Sequence, residues 1–89
     1  MVLGKVIGTV WATRKDEELV GMKLQVVRHI DVDGRPQESF LVAVDTVQAG
    51  VGDVVLVTTG SAARQTALTR NKPVDAVIMA VVDTLDVPA

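Results

Sequence analysis

Apolar residues along this chain fall in short runs separated by polar or glycine-bearing breaks. The densest part is 40–64. Phe40–Val47 and Asp53–Thr59 are rich in β-branched residues and short enough to be strands. Between them lie Gln48, Ala49, Gly50, Val51, Gly52 and Asp53, where two glycines mark a tight connection. The run Gly60-Ser61-Ala62-Ala63-Arg64 then reads as a strand end passing into a short helix over 61–68. Ser61 stands where its hydroxyl could cap that helix, and Asn71-Lys72-Pro73 breaks it.

The flanking segments extend this pattern. Val2–Ala12 reads as a first strand. Gly4 and Gly8 interrupt it, as at a barrel corner or a close backbone approach. Residues 13–18 are polar and charged, which predicts a solvated loop. Met22–Ile30 alternates in part, with Met22, Leu24 and Val26 on one side and Lys23 and Gln25 on the other. Val32–Pro36 carries an Asp-Gly pair and a proline, a turn signature. Val74–Leu85 is the longest β-like run; its valines and isoleucine and the preceding Pro73 outweigh the helix-tolerant Ala and Met. Five strands and one short helix in antiparallel order predict an all-β domain over 1–89. Closure into a small barrel would remove the strand edges. The barrel is loosely similar to the five-stranded oligonucleotide-binding (OB) fold, with the helix after the fourth strand rather than the third. Phe40–Val47 is apolar on both faces except at Asp45, so it needs cover on both sides.

Composition sharpens that last point. A chain of 89 residues buries roughly 60–65% of its unfolded surface and has a thin core. It has no cysteine and one histidine, which excludes disulfides, thiolate zinc sites and histidine clusters. Yet 48% of its residues are apolar and its mean hydropathy is +0.36. The reading that follows is self-association, with part of the apolar surface buried between subunits; the alternative is a monomer that packs all of it. A net charge of −2 and an isoelectric point near 5.1 argue against a nucleic-acid partner. The first residues lack a secretory pattern, and no apolar run approaches the roughly 20 residues of a membrane span. A cytoplasmic protein without a membrane partner is expected.

Few residues suggest chemistry. His29 has only Asp31 and Asp33 near it in sequence, both in a turn, and reads as a surface or interface residue. Asp45, Asp75 and Asp83 lie in or beside apolar strands and need partners if buried; Arg64 is the nearest cation for one of them. Ser61 lacks the Gly-x-Ser-x-Gly frame of a nucleophile elbow. The 49–53 loop lacks the Gly-Lys-Ser/Thr ending of a phosphate loop and no helix follows it. Trp11 and Phe40 are too few for a base-stacking platform, and Trp11 reads as core or interface. No catalytic, metal-ligating or cofactor-binding residue is assigned, and the chain is not read as an enzyme.

These residues, in this order and over nearly the whole length, resemble the EutN/CcmL family of microcompartment shell vertex proteins. The matching pieces are Gly4-Lys5-Val6, Gly8–Thr13 with Lys15, Phe40–Val47, Ala49–Gly52, Val55–Thr58, Gly60–Arg64, Asn71, Pro73–Ala76 and the run to Asp83. Gln48, Asp53 and Ala62 depart from the family's usual glycine, glutamate and serine. The resemblance implies a β-barrel subunit in a cyclic pentamer that caps the corners of a polyhedral bacterial shell built mostly of hexameric tiles, with trimeric shell proteins as further neighbours. A flat hexagonal sheet closes only through fivefold defects, which such a pentamer supplies. On this reading Gln48, Ala49, Gly50, Val51, Gly52 and Asp53 frame a central opening. Arg14, Lys15, Gly60, Ser61, Arg64 and Asn71 face neighbouring subunits or shell tiles. The alternative is a barrel module that binds an oligonucleotide or small ligand, which predicts a basic, aromatic-bearing face.

Overall fold

The computed structural model describes residues 1–88. Five strands, β1 (Val2–Val10), β2 (Leu24–Ile30), β3 (Pro36–Asp45), β4 (Val54–Thr59) and β5 (Ala76–Val81), close into a barrel in the order β1-β2-β3-β5-β4. The closure is not wholly antiparallel as expected. β3 and β5 run parallel, meeting only at Val44↔Val77 and Asp45↔Ile78. Thr46 reinforces this short seam by donating its hydroxyl to the carbonyl of Ile78 at 2.7 Å. Parallel neighbours need a crossover rather than a hairpin, and here β4, which runs opposite to β5, lies between β3 and β5 in the chain and supplies the return.

Both glycines of β1 act, in different ways. The β1–β2 register slips between Val6 and Gly8, leaving Ile7 as a bulge that bends the strand. At Gly4 a Cβ would collide with Val27 and lie 2.9 Å from the Arg28 carbonyl oxygen, so the barrel needs a bare backbone there. The β2–β3 turn is built by Asp31. Its Oδ1 accepts the N–H groups of Asp33 and Arg35, both at 2.9 Å, and Gly34 takes the positive φ of 82°. β3 starts at Pro36, well before the expected Phe40, because Pro36 can open a strand opposite Ile30 where no N–H is needed.

Two further expectations shift. β5 is six residues long, not the longest run; among the described residues after Val81 there is no strand. The segment read as a helix over 61–68 is a 3₁₀ helix, η2 (Gly60–Gln65), and the loop before β2 holds a single 3₁₀ turn, η1 (Glu17–Leu19). Ser61 does not cap η2: Thr59 occupies the cap position and no side chain bonds there. Gly60 takes a φ of 67°, which redirects the chain at that point.

Val6, Val27, Ala43, Ala49, Val55, Val57, Ala76 and Ile78 form the barrel interior, all buried. A five-stranded barrel is too narrow for large side chains, so valine and alanine fill it. A second cluster lies outside the barrel wall, where Ala63 of η2 packs with Val44 and Val77, joined by Met22, Leu24 and Val74. Thr69 pins this cover in place. It is fully buried, and its hydroxyl donates to the Ala63 carbonyl at 2.5 Å and pairs with the Thr66 hydroxyl.

Candidate functional site: two apolar flanks and a tethered loop

The cover provided by η2 is partial, and what it leaves bare defines the surface. On the outer face of the β2–β3 pair, Leu24 opposes Val44, Val26 opposes Val42, and Arg28 opposes Phe40. Only the Leu24–Val44 row lies under η2 and the chain around Val74. Phe40 is 61% exposed and Val42 is 42% exposed. A second, partly exposed apolar region lies on another flank, where the half-buried Leu3 opposes Leu56 and Leu56 opposes Ala80, with Met79 exposed beside them. The strand apolar on both faces therefore has cover on only part of its outer face. The barrel carries two unlike apolar flanks, one on β2–β3 and one on β1–β4–β5.

The glycine loop is held from inside. Gln25 is 1% exposed. Its Oε1 accepts the Thr9 hydroxyl at 2.7 Å, and its amide nitrogen donates to the Ala49 carbonyl at 2.9 Å and to Asp45 Oδ2 at 3.3 Å. Asp45 Oδ1 in turn accepts the Val47 N–H at 2.9 Å. Gln48 then takes a left-handed φ of 59° and Gly52 one of 96°. Asp53 closes the turn by accepting the Gly50 N–H, and Gly52 and Asp53 bond to the backbone of Val6. Asp45 thus has Gln25 and its own loop backbone as partners, not Arg64, whose guanidinium reaches the Val74 carbonyl. Asp75 and Asp83 are exposed and need no partner. Gln25 was not anticipated as the loop's anchor: the alternation of Met22, Leu24 and Val26 set it on the polar side, whereas in β2 Gln25 and Val27 face inward and Leu24 and Val26 face out.

The other candidate residues gather around η1 and η2. Arg14 and Lys15 lie in the exposed loop before η1, with Lys15 donating to the Ala12 carbonyl at 2.7 Å. Gly60, Ser61 and Arg64 are exposed on η2. Asn71, also exposed, takes a left-handed φ of 59°. An ion pair between Lys72 and Glu18 at 2.9 Å joins the two loops. Trp11 is not in the core; it stands 88% exposed next to Lys15 and Met22. His29 is half-buried rather than a free surface residue. Its Nδ1 meets the Ser39 hydroxyl at 2.6 Å, and its Nε2 is enclosed. Among the described residues no group of three or more metal-ligating side chains converges.

A family model described as "Ethanolamine utilisation protein EutN/carboxysome" matches residues 1–83. The chain belongs to the EutN/CcmL family. The carboxysome shell vertex protein CcmL of Synechocystis sp. is 44% identical over 87 residues, covering 98% of this chain and 87% of that protein. The bacterial microcompartment shell vertex protein GrpN of Rhodospirillum rubrum is 46% identical over 86 residues, with 97% of each chain covered. Its solved structure, a pentameric microcompartment shell protein, superposes with a TM-score of 0.90 over 99% of this chain and 100% of that one, at 45% identity. CcmL of Gloeobacter violaceus superposes with a TM-score of 0.93 at 42% identity, covering 98% and 90%.

Proposed function

We propose that this chain is a structural shell protein of a bacterial microcompartment, assembling as a homopentamer that caps the vertices of the shell. The observation that carries the reading is the pair of unlike apolar flanks. A ring of identical subunits uses a heterologous contact, in which one patch of each copy meets a different patch of the next. The β2–β3 flank of Phe40 and Val42 and the β1–β4–β5 flank of Leu3, Leu56 and Met79 are such a pair. Family membership and the shell vertex proteins at more than 40% identity support the same reading.

Within that assembly the loop Gln48–Asp53 lies near the fivefold axis, where its small residues let several backbones converge. Arg14, Lys15, Gly60, Ser61, Arg64 and Asn71 face neighbouring subunits or hexameric and trimeric shell tiles. The shell sits in the cytoplasm, and the role is structural rather than enzymatic. Native mass spectrometry tests the core of the proposal: a species of five times the 9.4 kDa chain mass is expected. Phe40→Asp should shift it to monomer with the barrel's circular dichroism retained. A wild-type protein that stays monomeric at high concentration would overturn the reading. Charge reversal at Lys15 or Arg64 should leave the pentamer intact and weaken shell closure when tiles are co-expressed.

A further inference from the structure

The chain after β5 has an unused chemistry. Its last bond to the barrel is from the Val82 N–H to the Val54 carbonyl at 2.7 Å, and from Asp83 to Pro88 every residue is exposed. Leu85 and Val87 are apolar and alternate with Asp86. In extended chain that places the two apolar side chains on one face and the carboxylate on the other.

A groove of matching character lies on the barrel. Its walls are Ile7, Ile30, Pro36 and Val51, and its cations are Lys5 and Arg28. Among the described residues neither cation has a carboxylate partner; the ion pair present is Lys72–Glu18. Two acids next to this groove in the chain are already engaged. Asp31 accepts two N–H groups of its own turn, and Asp53 accepts the Gly50 N–H. Gly34 lines this groove and also the cleft against which Asp83, Thr84 and Leu85 lie, so the tail leaves the barrel beside the groove. Fully extended, residues 83–88 span about 20 Å. The two shorter dimensions of the subunit are 25 and 21 Å. The tail's full extension is therefore close to one subunit width, the order of distance to an adjoining copy.

We infer that residues 86–88 of one copy dock in the Lys5–Arg28 groove of the adjacent copy. Val87 meets the Ile7, Pro36 and Val51 walls and Asp86 pairs with the cations at the rim, while Leu85 stays against its own barrel. The inference rests on the assembly reading above, since it requires a neighbour.

The chain has no cysteine, so an introduced pair reports without background. Val87→Cys chains are mixed and co-assembled with Val51→Cys chains, and in parallel with Ile7→Cys chains, then oxidised. Docking between copies predicts a cross-linked dimer forming about 100-fold faster than in the same pairs carrying Phe40→Asp, because the ring raises the local concentration of the partner sulfur. Asp86→Lys should slow the reaction, and combining it with Lys5→Glu should restore it. The wild-type ring gives a second readout: amide exchange at 86–87 and 5–7 slower than in the Phe40→Asp monomer. Two results would overturn the inference: an intact pentamer with neither cross-link nor protection, or cross-linking confined to single Val51→Cys/Val87→Cys chains. Absence of any pentamer in native mass spectra of the wild type is a separate failure, that of the assembly reading itself.

Discussion

At the scale of single residues, Gln25 and Gly4 carry obligations that no neighbour can take over. Gln25→Leu removes the donor for the Ala49 carbonyl and for a buried Asp45 oxygen, and the acceptor for Thr9. Stranding buried polar groups costs about 1–3 kcal/mol each, more where one is charged. A loss of roughly 3 kcal/mol in denaturant-derived stability is expected, with faster amide exchange across 47–53 as the local signature. Gly4 and Gly8 form a controlled pair. Gly4→Ala drives a methyl into Val27 and the Arg28 backbone and should cost at least ~2 kcal/mol. Gly8→Ala meets no atom within 4 Å and should be neutral or slightly stabilising. Comparing the two denaturation midpoints checks the assignment directly.

At the scale of elements, the least regular segment determines how much of the barrel wall is left bare. Residues 60–75 lay Ala63 and Val74 over Val44 and Val77 and stop short of Val42. Thr69→Val keeps the volume but removes the hydroxyl that clips η2 to the following turn. A loss of about 1–2 kcal/mol is expected, with exchange rising in 60–70 ahead of the strands. This element also marks where reading from sequence worked and where it did not. β4 was legible because Val54–Thr59 offers β-branched residues and clean glycine boundaries. β3 was mis-started because a proline usually signals a turn, and only its place opposite Ile30 makes it a strand opener. β5 was over-extended to Leu85 because Val82, Thr84 and Leu85 keep β-like composition after its pairing partners have ended. The helix at 61–68 was over-regularised: Ala62 and Ala63 suit any helix, and pattern alone does not separate a six-residue 3₁₀ turn from an α-helix. The parallel β3–β5 seam depends on a crossover and has no local signature.

At the scale of the whole molecule, the surplus of apolar composition was legible, and so was its outlet in self-association. Which side chains would be bare was not, because inward and outward rows depend on the bulges at Ile7 and near Met79, which shift the register within a strand. Paired changes test the two-flank arrangement. Phe40→Asp and Met79→Asp should each disperse the ring. Mixing the two monomers should yield at most heterodimers, since each retains one intact flank; sedimentation velocity distinguishes that outcome from re-formed pentamers. The placement of β1 has a consequence for synthesis. Its second half pairs with β2, an early hairpin mate, whereas Val2–Lys5 must wait for Val54–Val57 to emerge. The β2–β3 flank therefore exists on a nascent chain well before the Leu3–Leu56 flank does. A nascent chain that has extruded β2 and β3 but not β4 holds one half of the complementary contact and lacks the other.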